Sequence, residues 1–389
     1  MSPIVFTVTN NLTYDQRMIR ICTSLANQGY VITLVGVKNK NATALTTQPY
    51  TQKRLHCFFS KGFGFYAEYN IRLFFYLLFL KANVFCCIDL DTMLPIYVAG
   101  KLRNKKLVYD AHEYFSQQKE IITRPSVYKI WYWIERTFVP KFKQGYTVSY
   151  SIAKAFKELY NVDYEVVMNA TVLNKKSHDL IKDSEVAETK ASFGISRFFR
   201  EGVGTSIILY QGAVNEARGL EFLIPAMQHV NAQLHIYGDG NYFAQTQQLI
   251  NQNNLTNKVF LKGKVLPTEL EQVTLEATIG INLVENKGLN QYYSLANKFF
   301  DYIHAQVPQI TMNFPEYKRI NDYAEVAILL DDLKVETIAN ALNELLNNNQ
   351  KYTLLQTNCI KARGKFNWRV EEKKLIEFYK KILNTSPQR

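Results

Sequence analysis

The sequence has little that would place it outside a reducing, aqueous compartment. Its five cysteines (Cys22, Cys57, Cys86, Cys87 and Cys359) are odd in number. They form neither a CxxC pair nor a disulfide framework, so they read as reduced packing residues. Long hydrophobic runs are also missing. The most apolar stretch, LFFYLLFL at 73–80, falls far short of the roughly 20 residues needed to span a bilayer, so it is a core or interfacial helix at most. The MSPIVF start shows no basic region followed by a long apolar one and reads as a first strand, not a secretory signal. The expected location is cytoplasmic, with a peripheral contact on the inner face of a membrane left open.

What is present is an ordinary globular composition, 47% apolar and 21% charged, in a chain too long for one hydrophobic core. Two domains are expected. The net charge of +12 is unevenly placed: residues 1–170 carry 21 Lys and Arg against 11 Asp and Glu, residues 171–360 carry 16 against 20, and the last 29 carry 9 against 3. A basic first half and tail favour an anionic partner such as a phosphorylated lipid, a membrane surface or nucleic acid. A merely solvated surface explains the same numbers.

Short β-branched runs alternate with amphipathic ones. IVFTVT (4–9), VITLVGV (31–37), VFCCI (84–88), KLVY (106–109), YTVS (146–149) and EVVMN (165–169) read as strands. The stretches 15–28, 66–81, 93–103 and 127–142 between them read as helices. Residues 171–204 lose this rhythm and mark a connection. The alternation restarts at SIILYQG (206–212) and continues through QLHIYGDG, KVFLKG, TIGINLV, PQITM and AILL. The expected class is α/β, with two doubly wound parallel sheets: an N-terminal domain over 1–170, a connection at 171–204 and a C-terminal domain over 205–367. A last helix over 368–384 would return to the basic first domain.

Ligands of open α/β sheets sit at the carboxyl ends of the strands. Gly212 ends one strand and Arg218 stands before a helix, a placement that suits a diphosphate; alone, the pair equally fits a surface loop. Gly238-Asp239-Gly240 reads as a ligand-facing loop or as a tight turn with Asp239 capping a helix. Gly263 ends the next strand. In QYYSLANKFFDYIH (291–304), Phe299, Phe300 and Ile303 share one helical arc, while Asn297, Lys298 and Asp301 share the other. Lys298 and the helix amides would attract an anion, and Asp301 could accept ribose hydroxyls; a solvated ion pair is the alternative.

Taken in order, these loops resemble the retaining nucleotide-sugar glycosyltransferases of the GT-B fold, in particular glycosyltransferase family 4. The resemblance lies in Ala217-Arg218-Gly219, the Gly238-Asp239-Gly240 turn, Val259 to Gly263 leading into the base-binding loop at Val265, and ANKFFDY with Val307-Pro308. LVYDAHEYF (107–115) is similar to the family's Asp-x-His motif. The resemblance implies two Rossmann-like domains facing across a cleft. It places His112 against the donor sugar, Asp110 and Glu113 in orienting or acceptor roles, and Asn11 and Asp15 on the acceptor side. Arg218 and Lys298 would stabilise the leaving diphosphate, with Gly212, Gly238, Gly263, Val265, Asn297, Lys298 and Asp301 holding the donor.

Two departures stand out. Tyr293 occupies a place where many relatives keep an acid, and Ala213 a place where they keep an arginine. The expected activity is transfer from a nucleotide-diphosphate sugar, a UDP-sugar first, to a glycan or lipid-linked acceptor in surface polysaccharide synthesis. No metal or other cofactor is expected: the DLD at 89–91 is a weak pattern, read as a loop on the acceptor side. A GT-B nucleotide-sugar epimerase and a non-catalytic polyanion-binding protein are the other readings.

Overall fold

The computed structural model describes residues 2–38, 43–173 and 205–384, so most of the expected connection, from residue 174 to residue 204, lies outside the described residues. The chain forms two compact units. One comprises Met1–Asn169, Gly288–Ser294 and Glu371–Arg389, the other Ala170–Lys287 and Leu295–Val370. The expected second domain, 205–367, is therefore interrupted, because Gly288–Ser294 packs with the first unit. Gly288 lies so close to that unit that a Cβ would stand 2.7 Å from the Gln117 carbonyl oxygen.

In the first unit, seven parallel strands run β1 (Pro3–Thr7), β2 (Val31–Lys38), β3 (Thr51–His56), β4 (Val84–Ile88), β5 (Lys106–Ala111), β6 (Gln144–Thr147) and β7 (Glu165–Val166). Their order in the sheet is 3-2-1-4-5-6-7. β4 is wholly buried, as a central parallel strand covered on both faces must be, and that explains its unbroken apolar run. β3 has no apolar alternation and is an edge strand. Its Arg54 anchors it, donating to the Asn11 carbonyl at 2.7 Å and the Thr13 hydroxyl at 2.8 Å. The helix expected from residue 66 begins at Gly62 and runs to Phe79.

The C-terminal helix, Trp368–Asn384, places Tyr379 5.8 Å from Phe6 and Phe378 5.0 Å from Tyr146, edge to face. All five cysteines are free and buried. Burial pushes the Cys22, Cys86 and Cys87 thiols well up and that of Cys359 to about 12.

In the second unit, β8 (Ile207–Gln211), β9 (Gln233–Tyr237), β10 (Val259–Gly263), β11 (Ile279–Asn282), β12 (Gln309–Met312) and β13 (Ala327–Leu330) form a parallel sheet in the order 10-9-8-11-12-13. The strand order turns at the β8–β11 boundary, the switch point where such sheets bind ligands. The helix Asn297–His304 lies against it with Phe299, Phe300, Tyr302 and Ile303 fully buried. Tyr302 fixes the helix, donating from its hydroxyl to the Leu209 carbonyl at 2.9 Å and lying close to Ile281 O at 3.3 Å. Its ring crosses β11 at Gly280, where a Cβ would come within 2.5 Å of the ring. No described helix is long and apolar enough to cross a membrane.

Gly280→Ala is expected to destabilise the protein by about 2 kcal/mol, since a rigid ring rather than a flexible side chain must move. Thermal unfolding should show a lower midpoint. An unchanged midpoint would mean that Tyr302 does not seat the helix as described.

Candidate active site

In the first unit, chemistry gathers at the carboxyl ends of β4 and β5. Asp110 is fully buried and sits between two cationic or ionisable groups. Arg17 Nη2 donates to Oδ1 at 3.2 Å, and His112 Nε2 lies 3.0 Å from Oδ2. Burial alone would raise the Asp110 carboxyl, but His112 and Arg17 outweigh it and hold it below the usual range. An ionised Asp110 only accepts, so His112 donates through Nε2, which in a neutral imidazole leaves the lone pair on Nδ1. Nδ1 makes no hydrogen bond among the described residues.

The backbone here is also held. Asp89 has a left-handed φ of 53° and accepts the His112 amide at 2.9 Å and the Glu113 amide at 3.3 Å. Burial, then Glu113, Asp91 and Asp110, push its carboxyl well above the ordinary range. Burial also raises Asp91 to about 6, and the Thr9 hydroxyl donates to it. Asp89 and Asp91 of the DLD therefore serve different partners. Among the described residues, no group of three or more His, Cys, Asp or Glu is placed to hold a metal ion.

Glu113 accepts from Asn290 at 3.0 Å and from Gln118 at 2.8 Å. Asp15 caps the helix Gln16–Asn27 by accepting the Met18 amide at 3.0 Å, and also accepts from Asn10 at 2.7 Å. Asn11, Asp15, Asn10 and Tyr14 line a cavity of about 260 Å³. Tyr293 packs against the hydrophobic core of this first unit.

The second unit carries the expected donor residues, and its loops are stitched together by backbone. Gly212 N donates to Tyr237 O at 2.9 Å, Gly238 N to Gly263 O at 2.8 Å, and Val214 N to Asp239 O at 3.0 Å. Gly238 has a φ of +148°, and any Cβ on it would fall 1.7 Å from the Gly212 carbonyl oxygen, so only glycine closes this turn. Asp239 caps no helix; it accepts the Gly240 amide at 2.8 Å, and Tyr242 stands at the cap position. Val265 is half-buried in the loop after β10, and Asn297 opens its helix.

Lys298 lies with its ammonium 3.8 Å from the centre of the Tyr210 ring, a cation–π contact. The Tyr210 hydroxyl donates to Ala213 O at 2.7 Å, which fixes the ring. Burial and then Arg218 push the Lys298 ammonium well below its ordinary range, only partly offset by Asp301. The alternative of a solvated Lys298–Asp301 pair does not hold. Asp301 instead accepts from Gln211 Nε2 at 2.9 Å, and Gln211 Oε1 accepts from Thr274 at 2.8 Å. Arg218 is half-buried and makes no hydrogen bond or ion pair among the described residues.

Arg17, Gln211, Thr274 and Tyr210 are not among the residues expected from the sequence to build the site. Gln211 and Tyr210 sit at a strand end beside a candidate glycine, which is the signal that would have found them.

Residues 195–365 match the family model for Glycosyl transferases group 1. No curated protein matches the sequence. Among solved structures, a glycosyltransferase from Rickettsia africae is 14% identical, with 99% of each chain covered and a TM-score of 0.73. Sucrose-phosphate synthase from Thermosynechococcus elongatus is 13% identical, covering 99% of this chain and 100% of its own, with a TM-score of 0.77. HepE from Anabaena, in complex with UDP-glucose, is 11% identical, covering 98% and 100%, with a TM-score of 0.72. The chain is a glycosyltransferase, and its two parallel sheets with interleaved helices are the two Rossmann-like domains of the GT-B fold.

A diphosphate ester bound at Arg218 and Lys298 would favour the charged form of Lys298. Because the lysine is depressed when free, binding should take up a proton at pH values above its lowered pKa, and affinity should fall as pH rises through that range. Calorimetry with a nucleoside diphosphate in buffers of different ionisation heat measures the uptake. Lys298→Met should abolish it, and an uptake of the same size in that variant would remove Lys298 from the diphosphate site.

Proposed function

We propose that the chain is a retaining glycosyltransferase of family 4 that moves a sugar from a nucleotide-diphosphate sugar to a glycan or lipid-linked acceptor in glycoconjugate synthesis. The observation that carries this is the pair Arg218 and Lys298: two cations at the switch point of the second sheet that form no ion pair within 4 Å among the described residues, beside a carboxylate fixed by Gln211. A diphosphate supplies the missing charge, and the adjoining ribose supplies hydroxyls for Asp301. The UDP-glucose bound by HepE supports a UDP-sugar as donor.

In this reading the anomeric carbon–oxygen bond breaks and negative charge develops on the departing diphosphate. Arg218, Lys298 and the amides opening the Asn297 helix are already aimed at that charge, so they stabilise it without reorganisation. The same cations supply what a metal ion supplies elsewhere, and the proposed reaction runs without one. An acceptor hydroxyl attacks on the face the diphosphate leaves, its proton passes to a departing phosphate oxygen, and the configuration is retained. His112, oriented by Asp110, accepts a donor-sugar hydroxyl at Nδ1. The acceptor belongs to the first unit, with Glu113 and the cavity at Asn11 and Asp15 on its path.

A calorimetric panel of UDP-, GDP-, ADP- and dTDP-sugars tests the reading, with UDP-sugars expected to bind. Arg218→Ala and Asp301→Ala should each weaken donor binding by about tenfold to a hundredfold, the value of a charge-assisted hydrogen bond. Unchanged affinity in both variants would refute the site, and isomerised donor without transfer would assign an epimerase instead.

A further inference from the structure

The helix Gly62–Phe79 buries Phe65, Tyr69, Leu73 and Leu77 along one stripe. Its opposite stripe would be polar on an ordinary surface helix. Instead it presents Phe63, Ile71, Phe75 and Phe79 to solvent, with Phe63 80% and Phe79 83% exposed. Eighteen residues make this apolar ridge about 27 Å long.

The ridge continues into an ordered aromatic knuckle. Just after β3, the Phe58 and Phe59 amides donate to the Glu68 carboxylate at 2.9 and 3.0 Å, and Arg72 pairs with Glu68 at 2.9 Å while lying over the Phe58 ring. Both rings are thereby held outward, Phe58 being 71% exposed. Beside the ridge, the helix Met93–Leu102 exposes Val98 and Leu102, and it is tied to the first helix by Arg103, which donates to Leu77 O at 2.7 Å. The helix Pro125–Phe138 adds Ile130 and Trp133, and joins through Tyr97 and Phe138 at 5.2 Å.

The exposed charge on these three helices has one sign. Lys61, Lys81, Lys101, Lys129, Arg136 and Lys141 are all exposed within or just beyond these three helices. The helices contain two acids, and neither offers a negative charge to a partner. Glu68 is engaged as above, and Glu135 is buried, accepting from Tyr160 at 2.6 Å. Exposed aromatic and aliphatic side chains interleaved with lysines match the boundary of an anionic bilayer, where rings enter the acyl region and ammonium groups stay among the phosphates. A second copy of the chain would bring two positive faces together.

We infer that this three-helix face of the first unit docks on an anionic lipid surface, with the Gly62–Phe79 helix lying in the interface. The inference stands on surface chemistry alone and does not require the donor reading. Its test is sedimentation of the full chain with phosphatidylcholine vesicles, with and without phosphatidylglycerol. Wild type should bind the anionic vesicles, and bind neutral ones more weakly. Lys101→Gln and Lys129→Gln should each lower partitioning by about fivefold. The pair Phe75→Ser and Phe79→Ser should lower it by more than about tenfold. All variants should keep the wild-type melting temperature and UDP-glucose affinity. Failure of wild type to bind anionic vesicles, or equal binding by wild type and variants, would overturn the inference. So would a solution dimer that Phe75→Ser dissociates. Loss of UDP-glucose binding with vesicle binding intact would count against the donor reading only.

Discussion

Two like charges share one end of the second sheet, and the local structure is arranged around keeping them there. Burial disfavours the lysine's charge, and repulsion from Arg218 adds to the cost. What holds Lys298 in place is not a counter-ion but packing. Phe299, Phe300, Tyr302 and Ile303 anchor its helix, and the Tyr210 ring lies under the ammonium. The close approach of Gly238 to Gly212 holds these loops together by backbone, and Gly212 itself lies beside the Lys298 side chain, which a Cβ there would meet at 3.5 Å. The positive charge at this end of the sheet is only partly offset as folded, and in the proposed reaction such rigidly held cations would stabilise an anionic leaving group.

The first unit shows the reverse arrangement. Asp110 is a buried anion matched by Arg17 and His112, and its charge is satisfied within the fold. Removing either partner would leave a buried carboxylate short of compensation, whereas the charge of Lys298 is only partly offset, by Asp301. The matched triad orients His112, whose Nδ1 makes no hydrogen bond among the described residues, while in the proposed reaction Arg218 and Lys298 would themselves bind the donor. Asp89 adds to the scaffold by holding the His112 and Glu113 amides, at the expense of a left-handed backbone at a non-glycine residue.

Much of this was legible in the sequence, for reasons that can be named. Alternating β-branched and amphipathic runs reveal parallel sheets because both faces of each central strand are covered. Strand-end glycines and the ANKFFDY helix are local patterns, readable within a few residues. β3 was not legible, because an edge strand such as TQKRLH needs no apolar face and is held by Arg54. Nor were the pairs Arg17–Asp110 and Gln211–Asp301, whose members lie 93 and 90 residues apart. Gly288–Ser294 was assigned to the second domain by its place in the chain, yet its packing is with the first. That packing also recasts Tyr293, which is partly buried against a hydrophobic core where many relatives carry an acid.

The buried cysteines have a practical consequence. Every native thiol lies inside the fold with burial disfavouring its thiolate, the species that reacts with maleimides and disulfides. The folded protein is thus chemically silent toward thiol reagents without any cysteine being replaced. A single cysteine introduced on the surface would be the one fast-reacting thiol, so a fluorophore or spin label can be addressed to either unit, and labelling of the native sequence would itself report unfolding.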